Sequence, residues 1–365
     1  MAELYDLPCS IEDVVSLVGL TVIRRTPTQL DCHCPFCGDK GRDKHLNVNL
    51  RKNVFRCNRC NQSGGVYTLY ALIHNISIRA ARHELKQIFP AGVAREPAGF
   101  RTPVVSTPEL DIAPSSVRNN TYRNLLDLLS LSKTHRESLL RRGLSNEEII
   151  QLGYRTTPAV RTAKIVTGLL DRGCKLGGVP GFYRCKDTGM WQLDIRASGI
   201  MIPNRNCRGE IEAIQIRLDQ DRNTKFNTLT SADQYYGTSA HCCPHFVGLS
   251  EKTESLYVTE GIMKADIAHK LSCKIGSPIA FVGLTGVGNT NQWLRALEEL
   301  RQLKIERINV AVDMDFLKNE NVRISRDRII NAAKTAGFTV SPITWAPAYK
   351  GIDDFLLAKK LHKES

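Results

Sequence analysis

The sequence contains no apolar run long enough to cross a membrane. A spanning helix needs roughly 20 consecutive apolar residues, and no stretch of the 365-residue chain approaches that length. The first residues, MAELYDLPCS, also lack the basic and then apolar layout of a secretory signal. We therefore predict a cytoplasmic protein with no membrane partner, whose twelve cysteines are reduced thiols or metal ligands rather than disulfides.

Acidic residues are outnumbered by basic ones. The chain has 50 Lys and Arg against 37 Asp and Glu, a formal net charge of +13. The excess is largest in residues 115–225, where 19 basic residues face 11 acidic ones. An excess of this size favours a polyanionic partner, usually nucleic acid, although a basic surface kept for solubility would give the same composition.

Two C-x-x-C pairs lie near the start of the chain. They are Cys34 with Cys37 and Cys57 with Cys60, and 19 residues separate the pairs. Four thiolates in this arrangement suit tetrahedral Zn²⁺ and fill all of its coordination positions. The sequence therefore predicts one structural zinc per chain, with a hairpin between the two pairs.

The predicted hairpin is strongly basic. Residues 40–60 contain seven Lys and Arg and one acid, Asp43, with Phe55 and several asparagines among them. Cations can follow a phosphate backbone while an aromatic ring stacks on a base, so this composition favours single-stranded nucleic acid. A solvated hairpin face is the alternative interpretation.

Other candidate metal ligands lie outside the paired spacing. Cys32 and His33 have the wrong offset from Cys37, so we interpret them as neighbours of the zinc site. The run CCPH at residues 242–245 leaves a second metal site open, with buried or incidental thiols as the commoner explanation.

The hydrophobic pattern changes along the chain and has no internal repeat. Residues 1–90 hold the cysteine pairs and a helical stretch, and residues 91–120 are proline-rich and aperiodic, which is typical of a linker. Residues 121–250 mix helices with short strands. Residues 251–365 alternate apolar strands with amphipathic helices, which predicts a parallel sheet. The expected fold class is multidomain α/β: a zinc ribbon of strands with helices, a mixed α+β basic subdomain, and an α/β domain with a central parallel sheet.

Three carboxylates lie at the ends of predicted strands. Glu260 ends the apolar run SLYVTE and precedes Gly261, where a strand turns into a helix. Asp313 and Asp315 follow the run INVAV at i and i+2, which would place both side chains on one face of a strand. The carboxyl ends of parallel strands face the crevice where ligands bind. Carboxylates clustered there repel one another unless cations neutralise them, so we predict a Mg²⁺ or Mn²⁺ site.

Three motifs, in the same order, resemble bacterial DnaG-type DNA primases. CPFC followed by CNRCNQSGG resembles the primase zinc ribbon, and GIMIPNRNCRGEIEAIQIRL with TKFNT resembles the basic half of the primase core. Glu-Gly followed by Asp-x-Asp is similar to the TOPRIM domain that primases share with topoisomerases, recombination-repair proteins and some nucleases. The segments EGIMKAD and WAPAYKGIDDFL resemble a divergent branch found in mobile elements and phages.

The resemblance implies a domain order and a reaction. The zinc ribbon would occupy residues 1–90, the basic half of the core residues 121–250, and the TOPRIM domain residues 251–365. The implied enzyme is a DNA-directed RNA polymerase that makes short RNA primers from nucleoside triphosphates on a single-stranded DNA template. Because the chain ends near the end of that core, a separate replicative helicase is a candidate partner.

The same resemblance implies roles for individual residues. Glu260, Asp313 and Asp315 would hold catalytic Mg²⁺ or Mn²⁺ and act on the attacking hydroxyl and the phosphate oxygens. The residues implied in contacts with triphosphate or template phosphates are Arg217, Lys225, Asn227 and Lys264. Asp353, in the short acidic motif KGIDD, would bind a further Mg²⁺ or cap the final helix.

Departures from the family pattern leave other functions open. Cys37 stands where the family commonly has a His ligand, a change that zinc accepts. Lys264 stands where the family has an acid. The alternatives are a TOPRIM nuclease that hydrolyses phosphodiesters, and a catalytically inactive zinc-ribbon and TOPRIM protein that binds DNA. The basic middle region favours primase over nuclease, and the retained carboxylates favour an enzyme.

Overall fold

The computed structural model divides into two compact units, residues 1–104 and 105–365. The described residues are 7–39, 41, 43–60, 62–89, 109–220, 225–232, 234–240, 243–285 and 290–364. Most of the predicted linker, residues 91–108, lies outside them, and the domain boundaries predicted near residues 120 and 250 stay predictions. Among the described helices, none combines the length and the apolar character needed to cross a bilayer.

The first unit packs short helices against an antiparallel sheet. Its elements are α1 (Ile11–Leu17), β1 (Val22–Arg25), β2 (Gln29–Cys32), β3 (Leu46–Asn49), β4 (Val54–Cys57), β5 (Ser63–Gly65), α2 (Val66–His74) and α3 (Ile78–Ile88). The strands pair in chain order from β1 to β5, and the hairpin predicted between the cysteine pairs is confirmed as β3 and β4. Burial alternates along β2, β3 and β4, so one face of the sheet packs on the core and the other is more exposed.

The first half of the second unit packs helices on both faces of another sheet. Its elements are α4 (Ser115–Asp127), α5 (Lys133–Arg141), α6 (Asn146–Leu152), β6 (Arg155–Thr156), α7 (Thr162–Asp171), β7 (Phe182–Arg184), β8 (Trp191–Leu193), β9 (Gly199–Arg205), β10 (Ile211–Leu218) and β11 (Phe226–Thr228). The sheet order is β11-β10-β9-β6, all antiparallel, and β7 pairs with β8. Helices α4 and α7 cover one face, and α5 and α6 pack toward the other. With both faces covered, β9 and β10 are buried along most of their length.

The second half of this unit contains the predicted parallel sheet. Its elements are β12 (His245–Val247), β13 (Ser255–Glu260), α8 (Ile262–Lys274), β14 (Phe281–Leu284), α9 (Thr290–Gln302), β15 (Arg307–Val310), a 3-10 helix (Met314–Leu317), α10 (Glu320–Thr335), β16 (Thr339–Pro342) and α11 (Ile352–Glu364). The order is β12-β14-β13-β15-β16, in which β12 is antiparallel and the others are parallel. Helices α8 and α11 pack on one face, and α9 and α10 on the other. The expected α/β fold class is therefore confirmed.

Two glycines let α8 lie close to this sheet. Gly261, between β13 and α8, has φ of +93°, a conformation that side chains with a Cβ rarely adopt. A Cβ at Gly283, on the neighbouring strand β14, would lie 3.0 Å from both Gly261 O and Ala265 Cβ. The start of α8 is therefore fixed against the ends of two strands.

The prediction that Asp313 and Asp315 share one face of a strand is wrong. Strand β15 ends at Val310, and Asp313 immediately precedes the 3-10 helix that contains Asp315. The Met314 N–H donates to the Lys350 carbonyl at 3.0 Å, so the chain turns toward the loop before α11 instead of continuing the strand. The two carboxylates consequently differ in burial: the Asp313 side chain is 8% exposed and that of Asp315 is 44% exposed.

A buried carboxylate joins the two halves of the second unit. Glu212 on β10 accepts hydrogen bonds from Ser115 Oγ on α4 (2.9 Å), from Asn206 Nδ2 (3.1 Å) and from Arg295 Nη2 on α9 (2.7 Å). The Arg118 guanidinium also lies within 3.8 Å of it. Although burial raises the pKa of Glu212, these partners hold it below its usual value, so the group is a charged brace between α4, β10 and α9.

Candidate functional site

The four predicted zinc ligands meet at one end of the first sheet. Cys57 ends β4, Cys34 follows β2, and all four Sγ atoms lie within 4.8 Å of one another. The Cys34–Cys60 sulfur separation is 3.7 Å and the Cys37–Cys57 separation is 3.4 Å. Bonds of about 2.3 Å in tetrahedral geometry place sulfurs about 3.8 Å apart. These thiols therefore fit a structural zinc.

Backbone N–H groups support the cysteine cluster. The N–H groups of Arg59 and Cys60 each donate to Cys57 Sγ at 3.3 Å. Burial raises the pKa of the Cys34 thiol to about 12. At Cys57 burial acts in the same direction, but the N–H groups of Cys60 and Arg59 and the Cys37 and Cys34 thiols together lower its pKa. A bound cation would favour the thiolate form of all four cysteines.

Asp39, which the sequence interpretation missed, positions the loop of the first cysteine pair. Its side chain is fully buried and accepts from the Cys34 N–H (2.9 Å), the His45 N–H (3.1 Å) and His45 Nδ1 (2.7 Å). Burial opposes the charge, yet these donors lower the pKa of Asp39. Its position two residues after Cys37 was a signal that could have identified it.

The exposed face of the hairpin carries the predicted basic residues but not the aromatic residue Phe55. Phe55 is 2% exposed and packs in the core of the first unit, so the interpretation of Phe55 as a base-stacking residue is wrong. Burial along β4 alternates, which turns Phe55 inward and Arg56 outward. Exposed cations such as Arg51 and Arg56 remain on the outer side.

The other candidate metal ligands are engaged elsewhere. Cys32 is fully buried in the core, and burial raises its pKa to about 11. His245 places Nε2 3.0 Å from Asp266 Oδ1, and its Nδ1 accepts from the Arg205 N–H at 3.0 Å. Both ring nitrogens are thereby used, which argues against a metal site at residues 242–245, of which Cys242 lies outside the described residues.

The predicted carboxylates gather at the carboxyl edge of the parallel sheet. Strands β13 and β15 are neighbours, with Val258 paired to Val310, so Glu260 and the turn after β15 lie side by side. Lys264, on the first turn of α8, forms an ion pair with Asp313. Lys350 Nζ lies 2.6 Å from Asp315 Oδ2.

Burial and a neighbouring carboxylate disfavour the charged form of Glu260 at this edge. Burial and then the Asp313 carboxylate raise the pKa of Glu260. The Glu260 carboxylate has no hydrogen bond or ion pair within the part of the chain that the structure describes. Carboxylate oxygens are the ligands that Mg²⁺ and Mn²⁺ prefer, so the donor set of Glu260, Asp313 and Asp315 fits such an ion.

Asp353 lies beside this cluster and is almost completely buried. Its side chain is 3% exposed, and Oδ2 accepts from Arg142 Nη2 at 2.6 Å. Its Oδ1 is buried and has no hydrogen-bond partner among the described residues. Helix α11 is instead capped by Asp354, which accepts from the Gly351 N–H at 3.1 Å. An unsatisfied buried oxygen of this kind is a further fit to a cation.

Two of the residues predicted to contact triphosphate or template phosphates, Arg217 and Asn227, lie on opposite faces of the sheet in the first half of the second unit. Arg217 Nη1 lies 3.9 Å from Met263 Sδ, on the first turn of α8. Asn227 pairs opposite Ile216, one position along, which turns its side chain to the other face. Lys225 is exposed and precedes β11. Arg142, which no sequence pattern indicated, also contacts Met263 Sδ at 3.0 Å.

One solved structure shares the fold over almost the whole of this chain. The Aquifex aeolicus primase, represented by its zinc-binding and RNA polymerase domains, is 17% identical; the match covers 98% of this chain and 81% of that one, with a TM-score of 0.51. The chain has the fold of a bacterial primase. A DNA primase domain from Pseudomonas aeruginosa (19% identity, 66% of this chain and 75% of that chain, TM-score 0.46) is a second match. The RNA polymerase domain of Mycobacterium tuberculosis primase DnaG (15%, 69% and 81%, TM-score 0.49) is a third.

The sequence comparisons name no function for the chain. Residues 248–363 match a family model described as a domain of unknown function (DUF3854). No curated protein matches the sequence.

Proposed function

We propose that the protein is a DNA primase that synthesises short RNA primers on single-stranded DNA by metal-dependent nucleotidyl transfer. The observation that carries the proposal is the set of carboxylates Glu260, Asp313 and Asp315 at the carboxyl edge of the parallel sheet. A cysteine cluster that fits zinc and a basic half-domain accompany it on the same chain.

The carboxylates have distinct tasks in this proposal. Bound Mg²⁺ or Mn²⁺ would lower the pKa of the attacking 3′-hydroxyl and stabilise charge on the phosphate oxygens. Asp313 is held in place by Lys264, whereas Asp315 is paired with the exposed Lys350, whose side chain is 62% exposed. Exposed ion pairs are weak, so Asp315 can exchange Lys350 for a cation.

Cations around the site would receive the triphosphate. Arg217 and Arg142 both contact Met263, so two guanidinium groups converge on the start of α8. Guanidinium groups bind phosphate oxygens through paired N–H donors. Arg142 also neutralises Asp353, which keeps that carboxylate in place. Lys225 and the exposed cations of the hairpin are proposed contacts to template phosphates.

The experiment that tests the function is primer synthesis by the purified full chain on mixed-sequence single-stranded DNA with labelled nucleoside triphosphates and Mg²⁺ or Mn²⁺. The wild-type protein should give short labelled RNA. Asp313→Asn should lower synthesis by at least about 100-fold, because it removes a charge that the cation needs while the shape is kept. Asp187→Asn, an exposed acid between β7 and β8, is the matched control and should be unchanged.

The same reaction distinguishes the alternatives. Shortening of the DNA without labelled RNA would indicate a TOPRIM nuclease. Binding of the DNA with neither product would indicate an inactive DNA-binding protein, an alternative that the Lys264–Asp313 pair favours because it occupies one of the carboxylates. Near wild-type synthesis by Asp313→Asn would remove this carboxylate cluster as the active site.

A further inference from the structure

Lys264 holds a position inside the carboxylate cluster. It is the third residue of α8, and its side chain is only 17% exposed. The ammonium group pairs with Asp313, whose side chain is 8% exposed. A partly buried cation in contact with a buried carboxylate is costly to separate, because the carboxylate would be left as an unpaired buried charge.

A second carboxylate oxygen, Asp353 Oδ1, borders the same small space as this ammonium group, although the two form no ion pair. A Cβ at Gly351 would overlap Asp353 Oδ1 and would come within 3.2 Å of Lys264 Nζ. Gly351 thus leaves the space that these two groups share. Asp353 Oδ1 is the buried oxygen without a hydrogen-bond partner among the described residues, and its side chain is 3% exposed. Lys264 therefore pairs with Asp313 and also borders the space in front of the unpartnered Asp353 Oδ1.

We infer that Lys264 takes the place of one of two divalent cations, so that the catalytic centre holds a single divalent ion between Glu260, Asp313 and Asp315. The inference rests on the proposed metal-dependent function and specifies its stoichiometry. In two-metal sites the ions lie about 3.5–4 Å apart and share carboxylates. A second ion at that distance would meet the Lys264 ammonium at Asp313, and like charges so close repel. Lys350 offers no such obstacle, because it is exposed and can leave Asp315.

The test counts Mn²⁺ bound by the zinc-loaded full chain, by the paramagnetic signal of free Mn²⁺ and by titration calorimetry. Mn²⁺ prefers oxygen ligands and leaves the thiolate-bound zinc in place. The wild-type protein should bind one Mn²⁺ that is lost in Asp313→Asn. Lys264→Asp, which replaces the cation with a carboxylate, should bind two. Lys264→Met should bind Mn²⁺ about tenfold more tightly, since a like charge has been removed.

Controls separate this inference from folding and from the proposed function. Lys270→Met, on the same helix and hydrogen-bonded to Gln151, should leave both stoichiometry and affinity unchanged. Two ions or none in the wild type, one ion in a folded Lys264→Asp protein, or weaker binding by Lys264→Met would each overturn the inference. Primer synthesis with two bound ions would leave the proposed function standing without the inference. One bound ion without primer synthesis would support the inferred stoichiometry and contradict the proposed function.

Discussion

Asp266 is a buried acid whose role is to organise its neighbours. Its Oδ2 accepts from Tyr154 Oη at 2.7 Å and its Oδ1 from His245 Nε2 at 3.0 Å. Since His245 Nδ1 accepts from the Arg205 N–H, the ring proton is on Nε2 and points at the carboxylate. Burial opposes its charge, but His245 and the other partners keep the pKa of Asp266 below its usual value. The network joins α8 to β9, β12 and the segment before β6.

Replacement of Asp266 by Ala should destabilise the second unit. Two buried donors, Tyr154 Oη and His245 Nε2, would lose their acceptor, which costs about 2–5 kcal/mol in the free energy of unfolding. Urea unfolding followed by far-ultraviolet circular dichroism measures it. Asp187→Ala is the surface control and should change the free energy by less than about 0.5 kcal/mol. Equal midpoints for the two variants would contradict a structural role for Asp266.

Residue patterns identified candidate site residues from local motifs and missed the contacts that only the fold creates. The cysteine pairs and the Glu-Gly and Asp-x-Asp motifs are local signals. Arg142 and Asp353 are separated by 211 positions and meet only because α5 and α11 pack against α8. No spacing in the sequence encodes such a contact. The buried position of Phe55 is a different failure, since alternation along β4 gives the two faces but not which one is covered.

At the level of elements, the zinc ribbon depends on the Asp39 carboxylate, which is not one of the four predicted zinc ligands. Asp39 fixes the Cys34 N–H and the start of the hairpin at His45 in one arrangement. Such supporting groups orient metal ligands.

Asp39→Ala should weaken zinc binding by about 10–100-fold while it leaves one zinc per chain at saturating metal. Competition with a chromogenic chelator, at one fixed pH because thiol deprotonation accompanies binding, measures the affinity. Asp31→Ala, on the neighbouring strand β2, is the matched control. A Cys57→Ser protein that retained full zinc and fold would contradict the assignment of the four ligands.

The elements themselves were largely predictable, and their ends were not. The strand predicted at the apolar run SLYVTE and the alternation of strands and helices after residue 251 both appear in the structure. Strand β15 ended early because Met314 bonds to Lys350, a residue 36 positions later. The end of this strand depends on a hydrogen bond between residues that are distant in sequence, and the hydrophobic pattern does not predict such a bond.

At the scale of the whole molecule, the positive charge predicts how single-stranded DNA should bind. Neutralised phosphates release counterions, so affinity should fall steeply as salt rises. The double variant Arg51→Ala and Arg56→Ala should reduce the slope of log affinity against log salt by about 1.4, at about 0.7 per phosphate contact on single strands. Fluorescence anisotropy with a labelled oligonucleotide measures the slope. Lys359→Ala, on α11, should leave it unchanged, and binding that is insensitive to salt would exclude the electrostatic mode.

The Glu212 brace has a consequence for how the second unit comes apart. If the parallel sheet and its helices separated from the basic half, Arg295 would leave Glu212, and a buried carboxylate would lose one of its main charged partners. Breaking one partner of a buried pair costs about 3–5 kcal/mol, so a half-unfolded species is disfavoured. Residues 105–365 should accordingly melt as one cooperative block in calorimetry, and a destabilising change in either half would lower the stability of both.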